Sequence, residues 1–309
     1  MAALVFLAAL GAAPMRVLVT GAGGRTGALT FKQLAERPDQ FAPFGLVRSS
    51  KAAGKLKRVG ASSAQLIRSD IMDAKLLAKH MSDAKIQALV ICTSATPQIK
   101  KRSIVKLLLS KLLRRPGGRP TFRFPPRGTP EEVDYYGCLA QIDAAKAAGV
   151  SHVVLVSSMG GTDASNFLNT IGRKPDGTGG DILLWKRKAE KYIAASGVPF
   201  TIVHPGGLID EPGGKRRIIA GVDDELLKRT PRTIPRDDVA KVCVEALLHA
   251  NARGLAFDII TDPVGEGDAT RDFGAFFDTL ASGRRYDFSK DPGEPPAAFP
   301  GGLPVGQPK

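Results

Sequence analysis

Eight residues near the start constrain this chain more than any others: Thr20-Gly21-Ala22-Gly23-Gly24-Arg25-Thr26-Gly27. They follow a short apolar run, Arg16-Val17-Leu18-Val19, and precede a helix-forming stretch, Ala28-Leu29-Thr30-Phe31-Lys32-Gln33-Leu34. A strand that turns on glycines into a helix is the setting in which such a motif binds a dinucleotide. The backbone must turn tightly at Gly21, admit a pyrophosphate at Gly24 and pack helix against strand at Gly27. Arg25 and Thr26 belong to this turn, and the helix that follows it offers free N–H groups and positive partial charge to the phosphates. The alternative, a glycine turn with no ligand, is disfavoured by the presence of both flanks.

Apolar runs alternate with helical patterns from residue 15 to about 281. The strands predicted are Arg16–Thr20, Phe44–Arg48, Gln65–Arg68, Ala88–Thr93, His152–Ser157, Phe200–His204 and Ala256–Thr261. Most are apolar without alternation, as for parallel strands covered on both faces. Helical stretches lie between them at Ala28–Glu36, Ala74–His80, Glu131–Ala148, Asp181–Ser196 and Asp237–His249. Repeated β-α-β predicts an α/β fold, a doubly wound parallel sheet of the Rossmann NAD(P)-binding type with a small C-terminal substrate lobe. The domain spans 15–281. Residues 1–14 read as an apolar extension too short to cross a bilayer, which takes about 20 residues. Residues 282–309, rich in Pro and Gly, read as a disordered tail.

Charge is unevenly spread. Between 98 and 130 lie Lys100, Lys101, Arg102, Lys106, Lys111, Arg114, Arg115, Arg119, Arg123 and Arg127, with no Asp or Glu. Subtracting these ten from the net +14 leaves +4 for the rest of the chain, so no nucleic-acid role follows from the total. Within this insertion Ser103–Leu113 reads as an amphipathic helix with Ile104, Leu108, Leu109 and Leu112 on one stripe. It is either a dock for an acidic protein or an anionic membrane surface, or a lid over a substrate pocket. Cys92, Cys138 and Cys243 stand far apart in apolar settings. They suggest neither disulfides nor a zinc site, and a reducing compartment, cytoplasm or plastid stroma, fits.

The strand ends carry the remaining chemistry. Where an NAD site places an acid on the adenosine ribose, this chain has Arg48-Ser49-Ser50-Lys51. A guanidinium grips a 2′-phosphate with two parallel hydrogen bonds, so NADP (as NADPH) is the cofactor expected, with Arg25 as a second cation. Asp70 either accepts from the adenine amino group or caps a helix. Thr93 and Ser94 end the fourth strand, where small residues let the cofactor ribose pass. Ser158, in Ser157-Ser158-Met159-Gly160-Gly161, either orients a substrate carbonyl or caps the strand end. His204 reads as a hydrogen-bonded wall residue beside the nicotinamide.

The glycine motif, Val133-Asp134-Tyr135-Tyr136-Gly137, Val156-Ser157-Ser158-Met159-Gly160-Gly161, Leu184-Trp185-Lys186-Arg187-Lys188-Ala189-Glu190 and Pro235-Arg236-Asp237-Asp238-Val239-Ala240 together resemble the atypical short-chain dehydrogenase/reductase family. The likeness is to its plant and algal NAD(P)-binding, NmrA-like subgroup, and it covers about 15–281. It implies a lysine that binds the nicotinamide ribose at Lys188, the substrate-orienting serine at Ser158 and, at Asp134, the asparagine of a proton relay. The general-acid tyrosine falls at Leu184, which has no proton to give. Tyr192 is the nearest substitute, and Tyr286-x-x-x-Lys290 reads as a chance match. The resemblance therefore implies either an NADP-dependent oxidoreductase acting on a small carbonyl or enone, or a non-catalytic NADP(H) sensor or scaffold.

Overall fold

The structure, a computed structural model, describes residues 13–114 and 120–290. Most of the predicted N-terminal extension, part of the Pro/Gly stretch after 115 and the end of the predicted tail lie outside the described residues. In chain order the elements begin β1 (Met15–Thr20), α1 (Arg25–Ala35), β2 (Phe41–Val47), α2 (Ser50–Arg58), β3 (Leu66–Arg68), α3 (Ala74–Asp83) and β4 (Ala88–Ile91). A basic insertion follows, with β5 (Gln98–Ile99), α4 (Lys101–Leu112) and β6 (Phe122–Arg123). After it come a π-helical turn (Glu131–Tyr136), α5 (Gly137–Ala147), β7 (His152–Val156), α6 (Ile182–Ala195) and β8 (Phe200–Pro205). The last part holds β9 (Gly207–Ile209), β10 (Ile218–Gly221), β11 (Thr233–Pro235), α7 (Arg236–Leu248), β12 (Leu255–Thr261) and α8 (Phe273–Ser282).

Eight strands form one sheet in the order β10-β12-β8-β7-β4-β1-β2-β3, parallel except for the antiparallel edge strand β10. The order reverses between β1 and β4, which is where an open α/β sheet leaves a crevice at its carboxyl edge. The pleat sends alternate residues to opposite faces. Val17 and Val19 of β1 and Val90 of β4 pack under α1 and α7 with Phe31, Leu34, Val239 and Val242. Leu18, Leu89 and Ile91 pack on the other face with Leu77, Met81, Ile142 and Ile193 of α3, α5 and α6. Both faces being covered explains the unbroken apolar runs of the central strands.

Every predicted strand and helix is present, and the helix stops at Gly149 and Gly197 carry the positive φ that the glycines allow (+70° and +78°). Helix α2 gave no periodic signal because Leu56 is its one buried residue and Gly54 interrupts it. The expectation of a disordered tail from 282 onward is corrected for residues 283–290. Tyr286 is buried against His204, and the Arg187 guanidinium donates to the carbonyls of Asp287 and Lys290 at 2.7 and 3.1 Å. Few apolar residues were needed because aromatic stacking and a buried cation fasten the segment.

Phe31, fully buried between β1 and α7, is a direct test of this packing. Phe31→Ala is expected to lower unfolding free energy by about 3–5 kcal/mol, read as a shift in urea midpoint at constant m.

Candidate functional site

The glycine loop is built by close approach. Gly21 has φ +64°, and a Cβ there would lie 2.5 Å from the Cys92 carbonyl oxygen at the end of β4. A Cβ at Gly27 would lie 2.4 Å from the Gly21 carbonyl oxygen, and one at Gly23 would lie 2.6 Å from the Ala52 methyl of α2. The Gly24 N–H donates to the Gly21 carbonyl at 2.8 Å and closes the turn. Gly24 is also the N-cap of α1, with no side chain capping the first turn and no acid in it. The leading N–H groups of α1 therefore stay available to an anion.

A cleft of about 640 Å³ opens beside this loop, within the range of small-molecule sites. Gly21, Gly24, Arg25, Thr26 and Gly27 line it, as do Arg48 and Ser49, Ser69, and Thr93 and Ser94. Arg48 is exposed and forms no ion pair among the described residues. Ser49 accepts from the Ala52 N–H at 3.2 Å and so caps α2, which begins at the cleft wall. Arg25 reaches Asp210 at 2.8 Å, and Arg236 reaches the other oxygen of the same carboxylate at 2.7 Å, tying the loop after β9 to the glycine turn. Asp70 is turned to other work. One oxygen accepts from the Met72 N–H at 3.1 Å and the other lies 3.8 Å from Arg127; its neighbours Ser69 and Ile71 line the cleft instead.

Thr93 lines both this cleft and a small crevice formed by Asp134, Cys138, Val156, Ser157, Lys186 and Ala189. Asp134, on the π-helical turn, is buried; it accepts from the Ala95 N–H at 3.1 Å and pairs with the Lys186 ammonium at 2.7 Å. The structure places the two lysines of α6 differently. Lys188 lies over the rings of Tyr135 and Trp185 at 5.0 and 5.7 Å, and Lys186 occupies the crevice. Two residues on a helix are about 200° apart, so only one of the two lysines can face the sheet edge. The position four before Lys186 is Ile182, which, like Leu184, carries no titratable proton. The two serines are placed apart in the same way. Ser158 donates to the Met159 carbonyl at 3.1 Å, while Ser157 is buried in the crevice wall. Tyr192 donates to Asp143 of α5 at 2.5 Å and does not line the crevice; burial, then that carboxylate, raises its pKa.

Behind Ser157 runs a buried polar chain that the sequence did not reveal beyond His204. The Ser157 hydroxyl donates to Glu190, whose other oxygen is 3.2 Å from His204 Nε2; His204 Nδ1 is 3.6 Å from Asp258. Arg187 lies 3.4 Å from Glu190. Burial alone would raise the Glu190 carboxyl, but His204, Ser157 and Arg187 outweigh it and hold it below the usual range. Burial lowers the His204 imidazole, and Glu190, then Asp258 and Asp224, outweigh that and raise it. Asp258 is pushed up by burial to about 7 despite His204.

Two outcomes follow from this chain. His204→Ala leaves buried carboxylates without their cation and is expected to cost about 3–5 kcal/mol in urea unfolding. Asp258 holds its proton more tightly folded than unfolded, so its contribution to stability is lost as pH rises from about 4 to about 7. Asp258→Asn is expected to remove that decline. Unfolding curves that fall in parallel for both proteins across this window would refute it.

The geometry agrees with comparison to known proteins. A family model described as NAD(P)H-binding matches residues 21–250. The chain is 47% identical to an uncharacterized chloroplastic protein of Arabidopsis thaliana over 85% of this chain and 75% of that one. It is 41% identical to sanguinarine reductase of Eschscholzia californica over 87% of this chain and 97% of that one. In fold it resembles the oxidoreductase YlbE of Lactococcus lactis (TM-score 0.58, 16% identity, covering 88% of this chain and 100% of that one). It also resembles the anaerobilin reductase ChuY of Escherichia coli (TM-score 0.52, 22% identity, covering 82% and 100%). With its glycine cradle at the β1–β4 switch point and a family match across most of its length, the chain belongs to the NAD(P)H-binding family of atypical short-chain dehydrogenases/reductases.

Proposed function

We propose that this protein is an NADP(H)-dependent oxidoreductase that exchanges hydride with a small carbonyl or enone. The observation that carries the reading is continuity. A cleft with a glycine cradle at one end and an exposed Arg48 on its wall shares Thr93 with a crevice holding the Asp134–Lys186 pair. The cradle fits a dinucleotide because Gly21 and Gly27 let β1, the end of β4 and the start of α1 approach within a methyl group's reach, which brings the uncapped first N–H groups of α1 to the cleft. The similarity to sanguinarine reductase, over nearly all of that protein's length, supports reductase chemistry. The chloroplastic relative supports the plastid stroma as the compartment.

Gly24 and the first turn of α1 would hold the pyrophosphate, Arg48 and Ser49 the 2′-phosphate, and Thr93 and Ser94 would border the nicotinamide ribose. When bound, the dihydronicotinamide supplies the hydride. Lys186 takes the part of the missing tyrosine: its ammonium, aimed by its ion pair with Asp134, donates a proton to the substrate oxygen. Ser157, fastened by Glu190, fixes the wall beside that ammonium. A second reading, an NADP(H) sensor without turnover, draws on the lack of a proton-bearing side chain at both Ile182 and Leu184.

Arg48→Ala is expected to weaken NADPH binding about tenfold to hundredfold, the worth of a charge-assisted contact, and to leave NADH unchanged in calorimetric titration. A marked preference of the unaltered protein for NADH would remove Arg48 from the site. In NADPH oxidation against a carbonyl panel, Lys186→Ala is expected to lower kcat/KM by about 10²–10⁴ while Lys188→Ala changes it little. NADPH binding without turnover on any carbonyl would favour the sensor.

A further inference from the structure

Helix α4 leaves a broad aliphatic face in water. Val105, Leu108, Leu109, Leu112 and Leu113 are each more than half exposed, up to 78% for Leu112, and Ile104 is 40% exposed. Their spacing (104, 108, 112 beside 105, 109, 113) places them in one double row along the helix. Isolated exposed leucines need no explanation, whereas a contiguous patch of this kind marks a binding surface. The helix is fastened at its start. The Ser103 hydroxyl donates to the Lys100 carbonyl at 2.7 Å and accepts from the Thr121 N–H at 3.1 Å, tying α4 to the β5–β6 hairpin.

Charge narrows the choice of partner. Lys100, Arg102 and Arg114 are exposed around this face, and the insertion holds no Asp or Glu between 98 and 130. Among the described side chains the large exposed apolar residues of this face are all aliphatic, and 101–114 holds no Trp or Tyr of the kind that anchors protein interfaces in fitted pockets. A bilayer requires no such fit, only apolar area and opposite charge. Twelve residues of helix span about 18 Å, too short to cross a bilayer and suited to lying in its surface. Among the described residues no helix is long and apolar enough to cross one.

We propose that α4 is an interfacial anchor for an anionic lipid surface, its leucines among the acyl chains and its cations at the headgroup phosphates. Pro97, Gln98, Pro125 and Gly128, at the two ends of the same insertion, line the nucleotide cleft, so docking sets the cleft rim beside the bilayer. The inference is independent of turnover.

The test is flotation of the full chain with phosphatidylcholine vesicles, with and without phosphatidylglycerol, at low and high salt. The bound fraction is expected to fall about tenfold or more when phosphatidylglycerol is omitted or salt is raised. Leu108→Glu/Leu112→Glu is expected to abolish flotation while NADPH affinity by calorimetry stays unchanged, which shows that the variant is folded. Arg102→Gln/Arg114→Gln is expected to weaken only the part that depends on phosphatidylglycerol. Absence of flotation with every vesicle, equal binding to neutral vesicles, or undiminished flotation of the leucine variant would overturn the proposal. Retention on immobilised polyglutamate without flotation would assign the face to an acidic protein and overturn it equally. Unaltered flotation of the leucine variant together with changed NADPH affinity would point to a lid over the cleft.

Discussion

The contact between the first glycine turn and the end of β4 sets the rest of the molecule. Gly21 lies against the Cys92 carbonyl and Gly27 against Gly21 so closely that neither position has room for a methyl group. That closeness draws the start of α1 onto the carboxyl edge of the sheet and keeps its leading N–H groups uncapped. It also places the switch between β1 and β4 at the base of a cleft whose walls come from β2, α2 and the loops after β3 and β4. The first N–H groups of α1 are thus open to an anion because glycine stands at both approaches.

The opposite wall is built on buried charge. Asp134 and Lys186 face each other away from solvent, and Glu190, His204 and Asp258 continue as a second chain through the core behind Ser157. Groups like these are costly to bury singly and persist because each is paired. Helix α6 carries both sets on one side, Lys186 and Glu190 being four residues apart, and sends Lys188 to the aromatic rings of Tyr135 and Trp185. The folded C-terminal segment belongs to the same assembly, since Tyr286 covers His204 and the Arg187 guanidinium holds the backbone beyond it. A residue span that looks like a loose tail in composition thereby closes the far side of the charged core.

Helix α4 of the basic insertion lines neither the cleft nor the crevice. The ends of the insertion lie at the cleft rim, while Leu108, Leu109 and Leu112 of α4 are exposed. One insertion thus joins part of the cleft rim to an exposed aliphatic helix.

The strands, the glycine turn and the place of the cofactor cleft were legible in the sequence. A parallel strand buried on both faces must be an apolar run, and a backbone that must come within touching distance of another must be glycine. Of the elements that escaped, α2 with Leu56 alone, the edge strand β10 and the segment around Tyr286 have little apolar burial of their own, whereas α8 went unread although it buries Phe273 and Phe277. Sequence also could not choose among neighbours of like chemistry. Ser157 and Ser158 are adjacent, and Lys186 and Lys188 share one basic run. The packing of α6 and β7 on the sheet decided which of each pair enters the crevice, because helix phase and strand pleat take their zero from tertiary contacts.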